Sequence, residues 1–215
     1  LKIEEGATLE IKPGVVIRFD GNYYLMILGE LKSKGNSQNF ITFTSNKTNP
    51  QPGDWETIEF IKSAAPTIFN EDGNYASGSI IQFTKIEYAK TGITYKEGEG
   101  LLIDNNIIQN NGVNSWGGGI HLANMSWSKI TNNTIRNNSA GSGGGLYLAP
   151  FRGEVVNNVI SNNSSMTFWG GGIYAEIHKG KIENNIVKDN KGKLGGGGLA
   201  INDSWVTETN YPQIV

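Results

Sequence analysis

The 215-residue sequence contains no cysteine, only six prolines and only two histidines. Without cysteine, neither disulfide bonds nor thiol chemistry contributes to its stability or function. No apolar run approaches the ~18 residues of a membrane-spanning helix, so no membrane span is predicted. The formal net charge of -2 provides no basic field for nucleic acid or an anionic membrane, and neither is an expected partner.

A helical period is also missing, and its place is taken by a repeat rich in glycine and asparagine. Four segments between Leu101 and Asn202 read IDNNIIQNN…GGGIHL, ITNNTIRNN…GGGLYL, VVNNVISNN…GGGIYA and IENNIVKDN…GGGLAI. Their first asparagine pairs are separated by 27, 25 and 27 residues. A fixed period in this range is typical of a solenoid, in which each repeat buries its apolar face against its neighbours.

Within each repeat, apolar residues alternate with other residues, as in 120–123 and 146–149. A period of two indicates strands, and three such strands fit into one repeat with no helix between them. Parallel strands cannot be joined by tight hairpins, so the chain is expected to wind as a coil. Each strand would then stack on its equivalent one turn away, at a spacing of about 4.8 Å.

The paired asparagines, which begin at Asn105, Asn132, Asn157 and Asn184, fall at the predicted corners between strands. Asparagine tolerates a left-handed φ and bonds to nearby backbone groups. Stacked in register, the amides could also bond to one another as a ladder. We favour this structural role over the alternatives of sugar-linked or metal-bound asparagine.

The chain is expected to form a single domain over residues 1–215. Residues 1–91 would form irregular N-terminal rungs with an insertion at 61–78, which we expect to project from one face and shape a binding surface. Residues 92–202 would form the regular repeats, and residues 203–215 would cover the open C-terminal end. Because the sequence begins without Met within a strand pattern, we expect a mature or excised module of a larger multidomain protein.

The NNxI…NN…GGG repeat, preceded by EEGATLEIKPGVVIRF and FITFTS, resembles the right-handed parallel β-helix repeats of the pectate-lyase-like superfamily. The resemblance covers nearly the whole chain and implies an all-β, three-sheet solenoid of about seven rungs. That superfamily includes polysaccharide lyases, polygalacturonases, epimerases, surface proteins and carbohydrate-binding modules of secreted xylanases. A shared fold does not transfer a reaction.

The resemblance implies that a ligand lies along the sheet that follows the glycine triplet. If Ile120 and Leu122 face inward, two outward columns follow, namely Thr94, His121, Tyr147, Tyr174 and Ala200, and Ala123, Ala149, Glu176 and Asn202. The loop before this sheet would add Trp116, Phe168 and Trp169, and the corner after it would add Trp127, Phe151, Ile177 and His178. The alternative is that the tryptophans only cover the coil edges while the tyrosines pack against one another.

A flat ring can stack on the C–H face of a sugar, for roughly 1 to 3 kcal/mol per platform by analogy with base stacking. The sequence therefore predicts a ligand-binding surface made of aromatic and polar side chains. Stacking is assigned to Trp116, Tyr147, Trp169 and Tyr174, and hydrogen bonding to His121, Glu176 and His178. Trp127 is also predicted as a ligand-binding residue.

Few acids accompany these rings, which disfavours catalysis. A lyase of the resembled superfamily needs carboxylates for calcium and a basic residue to abstract a proton. A hydrolase needs two acids about 5 to 9.5 Å apart, and only Glu176 with Asp203 could supply such a pair. The column of Lys129, Glu154 and Lys181 predicts exposed ion pairs. The two histidines lack the set of convergent partners that a metal requires.

We therefore predict a non-catalytic module that binds a polysaccharide, in particular a xylan-type plant cell-wall glycan. Its parent would be a secreted or cell-surface protein, and a larger glycoside hydrolase fits this description. No cofactor is predicted, and calcium is left open at three acidic pairs that we expect to be solvated, namely Glu4 and Glu5, Glu56 and Glu59, and Glu71 and Asp72. The alternatives are a polysaccharide lyase or glycoside hydrolase acting on uronic-acid polymers, and a structural or adhesin spacer.

Overall fold

The computed structural model describes residues 1–113, 116–202 and 213–214, apart from the side chains of Met125, Ser126, His178, Gln213 and Ile214. Every regular element in this part of the chain is a strand. In chain order the strands are β1 (Lys2–Ile3), β2 (Thr8–Ile11), β3 (Val16–Phe19), β4 (Leu25–Ile27), β5 (Glu30–Lys34), β6 (Ile41–Ser45), β7 (Ile58–Phe60), β8 (Ile68–Phe69), β9 (Tyr75–Ser77), β10 (Ile80–Gln82), β11 (Thr84–Glu87), β12 (Ile93–Tyr95), β13 (Leu102–Asp104), β14 (Ile107–Gln109), β15 (Ile120–Leu122), β16 (Met125–Thr131), β17 (Thr134–Arg136), β18 (Ser139–Ala140), β19 (Leu146–Val156), β20 (Val159–Ser161), β21 (Ser164–Ser165), β22 (Ile173–Glu183), β23 (Ile186–Lys188), β24 (Lys191–Gly192), β25 (Leu199–Ile201) and β26 (Gln213–Ile214).

Successive turns of the chain add one strand to each of three parallel stacks. The first sheet contains β1, β4, β7, β12, β15, β25 and the first parts of β19 and β22. The second contains β2, β5, β10, β13, β16, β26 and the later parts of β19 and β22. Within the described residues the third has seven strands, β3, β6, β11, β14, β17, β20 and β23. This is the predicted three-sheet parallel β-helix, and the third sheet has the predicted number of rungs.

Two strands run without interruption through the corner between the first and second sheets. β19 and β22 are each 11 residues long and pair with each other on both sides of that corner. The corner expected after the first sheet is therefore spanned by continuous strands in these two rungs. A smaller parallel stack, β18, β21 and β24, lies between the third sheet and the glycine triplets.

The core consists of aliphatic side chains stacked on like side chains in neighbouring rungs. Ile120 and Leu122 are fully buried, as predicted, and their register partners Leu146 and Leu148 are buried with them. The second and third sheets contribute equivalent buried columns, namely Ile103, Ile130 and Val155, and Ile108, Ile135 and Ile160. Each fully buried aliphatic side chain contributes about 1.5 to 3 kcal/mol relative to an exposed one.

The asparagine pairs form the predicted corners and ladder. The first residue of each pair is left-handed, with φ of 56° at Asn105 and 57° at Asn132. The second residue is buried in the first three pairs, and the Nδ2 of Asn106 donates to Oδ1 of Asn133 at 3.0 Å. The Nδ2 of Asn133 donates in turn to Oδ1 of Asn158 at 2.9 Å. The structural role therefore holds for this column.

A second asparagine ladder runs along the other end of the third sheet. The Nδ2 of Asn111 donates to Oδ1 of Asn138 at 3.1 Å, and Asn138 donates to Asn163 at 3.1 Å. The Nδ2 of Asn163 continues the chain to Oδ1 of Asn190 at 3.0 Å. Both ends of the strands in the third sheet are therefore fixed by buried amides.

The glycine triplet lies where successive backbones approach closely. Gly143 has a φ of 63°, a left-handed conformation that glycine adopts without strain. At Gly144 an added Cβ would lie 2.4 Å from the Ser164 carbonyl oxygen and 2.6 Å from that of Gly171. A side chain at this position would push adjacent turns apart, so the triplet holds the entry to the first sheet in register.

The predicted insertion at 61–78 contains the antiparallel hairpin of β8 and β9. The hairpin contacts the second sheet, where Lys34 Nζ lies 5.0 Å from the Tyr75 ring and Lys129 Nζ lies 4.6 Å from the Phe69 ring. Lys129 also donates to the Gly73 carbonyl oxygen at 3.0 Å. The insertion therefore projects from one face as predicted, but its hairpin contacts the second sheet and not the sheet that carries the predicted site.

Of the segment predicted to cover the C-terminal end, only residues 213–214 lie within the described part. They pair in parallel with Lys181 and Ile182 and so extend the second sheet by one strand.

Candidate functional site

The first sheet aligns the predicted column of outward residues. Thr94 pairs with His121, His121 with Tyr147, Tyr147 with Tyr174, and Tyr174 with Ala200. Their neighbours along each strand are in the core, and because strand side chains alternate, the column lies on the outer face. The placement predicted from the repeat is therefore confirmed.

Six rings from this column and from the preceding loops form one continuous cluster, which we call the ring surface. Its members are Trp116, His121, Tyr147, Phe168, Trp169 and Tyr174. Ring centroids are 5.0 Å apart for Tyr147 and Tyr174, 5.1 Å for Trp116 and Tyr147, and 6.0 Å for Trp116 and Phe168. Trp169 lies 6.4 Å from Tyr174 and 5.8 Å from Phe168. The predicted rings on this face are thus brought together.

The tyrosines and tryptophans of the ring surface are not equally accessible. Tyr147 and Tyr174 stack on each other with an interplanar angle of 14°, and only 8% of Tyr174 is exposed. Trp116 and Trp169 are 42% and 46% exposed. The tyrosines pack against one another, as in the structural alternative, whereas the two indoles present accessible rings. The tyrosines are therefore supports for the tryptophans more than platforms of their own.

The positions of the two tryptophans follow from the glycine triplets. Each tryptophan immediately precedes the first glycine of a triplet, Gly117 or Gly170, which has a positive φ. Trp116 bridges in parallel to Ser142, and Trp169 bridges to Gly195. The rungs between and beyond the tryptophans thus carry small residues, which leave room for the indoles. The indoles are two turns apart, on the order of 10 Å at the usual strand spacing.

Polar groups border one end of the ring surface. Tyr174 OH donates to Glu176 Oε1 at 2.9 Å, and Asn202 Nδ2 donates to the same oxygen at 3.1 Å. Burial, together with the neighbouring Tyr174 and Glu176, raises the pKa of Tyr147 to about 12. Burial also raises the pKa of Tyr174. Both phenols are therefore protonated at neutral pH and keep their O–H donors.

A groove of about 490 Å³ continues the ring surface past Tyr174. Its lining includes Trp169, Tyr174, Leu194, Ala200 and Asn202. The sequence places Phe168 beside this sheet without a binding role, and it does not predict Leu194. Phe168 was visible beside Trp169 in the sequence, whereas no periodic signal marks Leu194, because it lies in a loop. The groove offers an open path along the coil axis next to the exposed indole of Trp169.

His121 is the nearly buried histidine of the ring surface, with its ring edge against Tyr147 at 5.0 Å between centroids. Burial lowers the pKa of His121 to about 4, and the nearby Lys96 adds to this effect. The imidazole is therefore neutral at pH 7. Because only 8% of the residue is exposed, His121 acts mainly as packing for Tyr147.

This burial predicts a pH dependence of stability. The unfolded chain binds the His121 proton near pH 6.5 and the folded chain only near pH 4. As the pH falls between these values, stability is lost, by roughly 3 kcal/mol at ~1.4 kcal/mol per pH unit. Urea unfolding midpoints at pH 7 and pH 4.5 should therefore fall less in His121→Gln than in the parent protein. Equal decreases in the two proteins would show that His121 is accessible to protons.

The corner after the first sheet departs from the prediction. Phe151 and Ile177, expected beside the rings, are 1% and 2% exposed and belong to the core. Trp127 is 53% exposed but lies apart from the ring surface, with Lys179 Nζ 5.6 Å from its ring centroid. The side chain of His178, and Asp203, lie outside the described residues.

The remaining predictions about charged residues concern ion pairs and metal binding. Lys129, Glu154 and Lys181 are register partners as predicted, and Lys129 Nζ lies 3.8 Å from Glu154 Oε2. Glu56 pairs with Lys90. Within residues 1–113, 116–202 and 213–214, no three His, Asp or Glu side chains converge in a way that could hold a metal ion.

Comparison with known proteins identifies one family. The model described as "Right handed beta helix region" matches residues 57–210, which is more than half of the chain. No curated protein and no solved structure matches the chain. In the described ranges, the structure has no helix that could cross a membrane.

Proposed function

The chain belongs to the family of right-handed β-helix proteins, and from this premise we propose that it is a non-catalytic module that binds an extended polysaccharide on its ring surface. The family occurs in proteins that act on polysaccharides. Fold alone does not assign the ligand, so the proposal depends on the chemistry of the outer face.

The observation that carries the proposal is the pair of exposed indoles, Trp116 and Trp169, held two turns apart against the stacked pair of Tyr147 and Tyr174. Exposed apolar surface of this kind usually marks a site for a partner. Several platforms in line suit a polymer, because each stacking contact is weak and the contacts add along the chain. The groove beyond Tyr174 extends the path, and Glu176 and Asn202 lie close enough to it to bond sugar hydroxyls.

The acids of this face favour binding over catalysis. Glu176 accepts hydrogen bonds from both Tyr174 and Asn202, which hold it as an acceptor. Glycoside hydrolysis needs a second acid about 5 to 9.5 Å away, and lyase chemistry usually needs a carboxylate cluster for calcium. Glu59 shares the outward column but is four rungs from Tyr174, too far to act with Glu176.

The ligand proposed for the ring surface is a neutral, extended glycan of the xylan type found in plant cell walls. A flat, uncharged pyranose face matches an indole, and the ring surface itself carries no charged group at neutral pH. A polymer of this kind lies outside cells, so we place the module in a secreted or cell-surface protein, joined to other domains.

Affinity gel electrophoresis with xylan, cellulose derivatives, pectin and alginate tests the function. We expect retention by xylan, and no reducing ends or unsaturated sugars after prolonged incubation with or without calcium. No retention by any polymer would leave the module as a structural spacer. Release of new chain ends would make it an enzyme.

A further inference from the structure

A second exposed tryptophan site lies at the corner between the first and second sheets. Here the register of β16 and β19 shifts between Met125 and Ser128, so two residues of β16 face the single residue Arg152 of β19. Trp127, in this bulge, has a φ of 53°, which is an outlier for a bulky side chain and costs conformational energy. Strain of this kind concentrates at functional sites.

Two cations lie on the two rungs that follow Trp127 in the stack. Arg152 and Lys179 are direct register partners, and both are exposed. Lys179 Nζ lies 5.6 Å from the centroid of the Trp127 ring, so the indole holds one ammonium at the corner. Like charges side by side on adjacent strands repel, and a bound anion would relieve that repulsion.

Two carboxylates on the same strands, Glu154 and Glu183, pair with other cations. Glu154, two residues from Arg152, has Lys129 at 3.8 Å. Glu183 has Lys181 at 3.0 Å. Within the part of the chain that the structure describes, neither Arg152 nor Lys179 forms an ion pair with a carboxylate. Among the described residues, these two cations on the rungs after Trp127 thus have no carboxylate partner, although the net charge of the chain is -2.

We propose that Trp127, Arg152 and Lys179 form a second binding site, separate from the ring surface, for a sugar that bears a carboxylate or sulfate group. The guanidinium binds the two oxygens of such a group in a fork, and the ammonium adds a second contact. The indole stacks on the sugar ring that carries the anion. The site therefore recognises an anionic residue of a glycan, whereas the ring surface recognises an uncharged chain.

Retardation in gels containing polygalacturonate, dextran sulfate or neutral xylan, measured relative to a polymer-free gel, tests this site. The double variant Arg152→Gln/Lys179→Gln should weaken binding to the anionic polymer by about tenfold or more, because it removes two charge-assisted contacts. Trp127→Ala should weaken it as well. Preference for polygalacturonate identifies a carboxylate ligand, and preference for dextran sulfate identifies a sulfate ligand.

The matched control is Lys188→Gln/Lys193→Gln, which removes the same charge elsewhere on the surface. We expect the anionic polymer to retard this control variant as strongly as the parent protein. We expect xylan to retard all of the variants as strongly as the parent protein. If both double variants lost the same amount of retardation by the anionic polymer, the effect would come from net charge alone, and the proposal would be overturned. The proposal would also be overturned if neither anionic polymer retarded the parent protein. Loss of xylan binding alone would instead defeat the function assigned to the ring surface.

Discussion

Replacing Asn158 by alanine is expected to lower the free energy of unfolding by roughly 3 to 5 kcal/mol, since several buried polar groups lose their partners at once. Asn158 is 1% exposed, and its Oδ1 accepts from both the backbone N and the Nδ2 of Asn133, each at 2.9 Å. Its Nδ2 donates to the Ile130 carbonyl oxygen at 2.8 Å and to Asn185 Oδ1 at 2.9 Å. Alanine would leave these groups without water or protein to bond.

The residue before it provides the control. Asn157 is exposed and has a φ of 59°, a conformation that glycine adopts freely. Asn157→Gly should therefore change stability by only a few tenths of a kcal/mol. Chemical denaturation, monitored by far-UV circular dichroism, measures the free energy of unfolding of both variants. If Asn158→Ala and Asn157→Gly lowered the free energy of unfolding by similar small amounts, the asparagine ladder would contribute little to stability beyond the turn itself.

Replacing Trp116 and Trp169 together by alanine is expected to weaken binding to the neutral polysaccharide at least ~30-fold. Each stacked ring contributes roughly 1 to 3 kcal/mol, and two such losses multiply in the binding constant. The tyrosines beneath remain, but Tyr174 is nearly covered and Tyr147 shares its faces with its neighbours, so they cannot replace the indoles. Isothermal titration calorimetry with a soluble oligosaccharide of the retained polymer gives the measurement.

Trp127→Ala is the control for this pair, because Trp127 is at least as exposed as either indole but belongs to the other corner. It should leave the affinity for the neutral oligosaccharide unchanged. Circular dichroism confirms that each variant keeps its β-sheet content. If the double variant bound as well as the parent, the ring surface would not be the binding site.

Much of the fold followed from the spacing of a few residues. A period of 25 to 27 residues fixed the stacking of turns, and alternation within 120–123 and 146–149 fixed which side chains enter the core. Alignment of His121, Tyr147 and Tyr174 then followed, because equivalent positions in a parallel coil are direct neighbours. The asparagine ladder was predictable for the same reason.

The repeat period could not predict the conformation at the corners or the packing among neighbouring rings. Alternation predicts direction only within a regular strand, and the bulge before Ser128 turns Trp127 out while Phe151 enters the core. Register places Tyr147 beside Tyr174, but whether each ring exposes a face or an edge depends on local packing. The position at which the β8–β9 hairpin packs depends on contacts with Lys34 and Lys129, which are distant from the hairpin in sequence.

The most direct test of polysaccharide binding on the ring surface uses the indole N–H signals of the five tryptophans in a ¹H–¹⁵N NMR spectrum. Single Trp→Phe variants assign the signals, and a neutral oligosaccharide is then added. If the ring surface binds the oligosaccharide, the signals of Trp116 and Trp169 shift in a saturable way, while those of the buried Trp55 and of Trp127 stay in place. Saturable shifts confined to Trp127, or unchanged Trp116 and Trp169 signals at saturating oligosaccharide, would contradict this prediction.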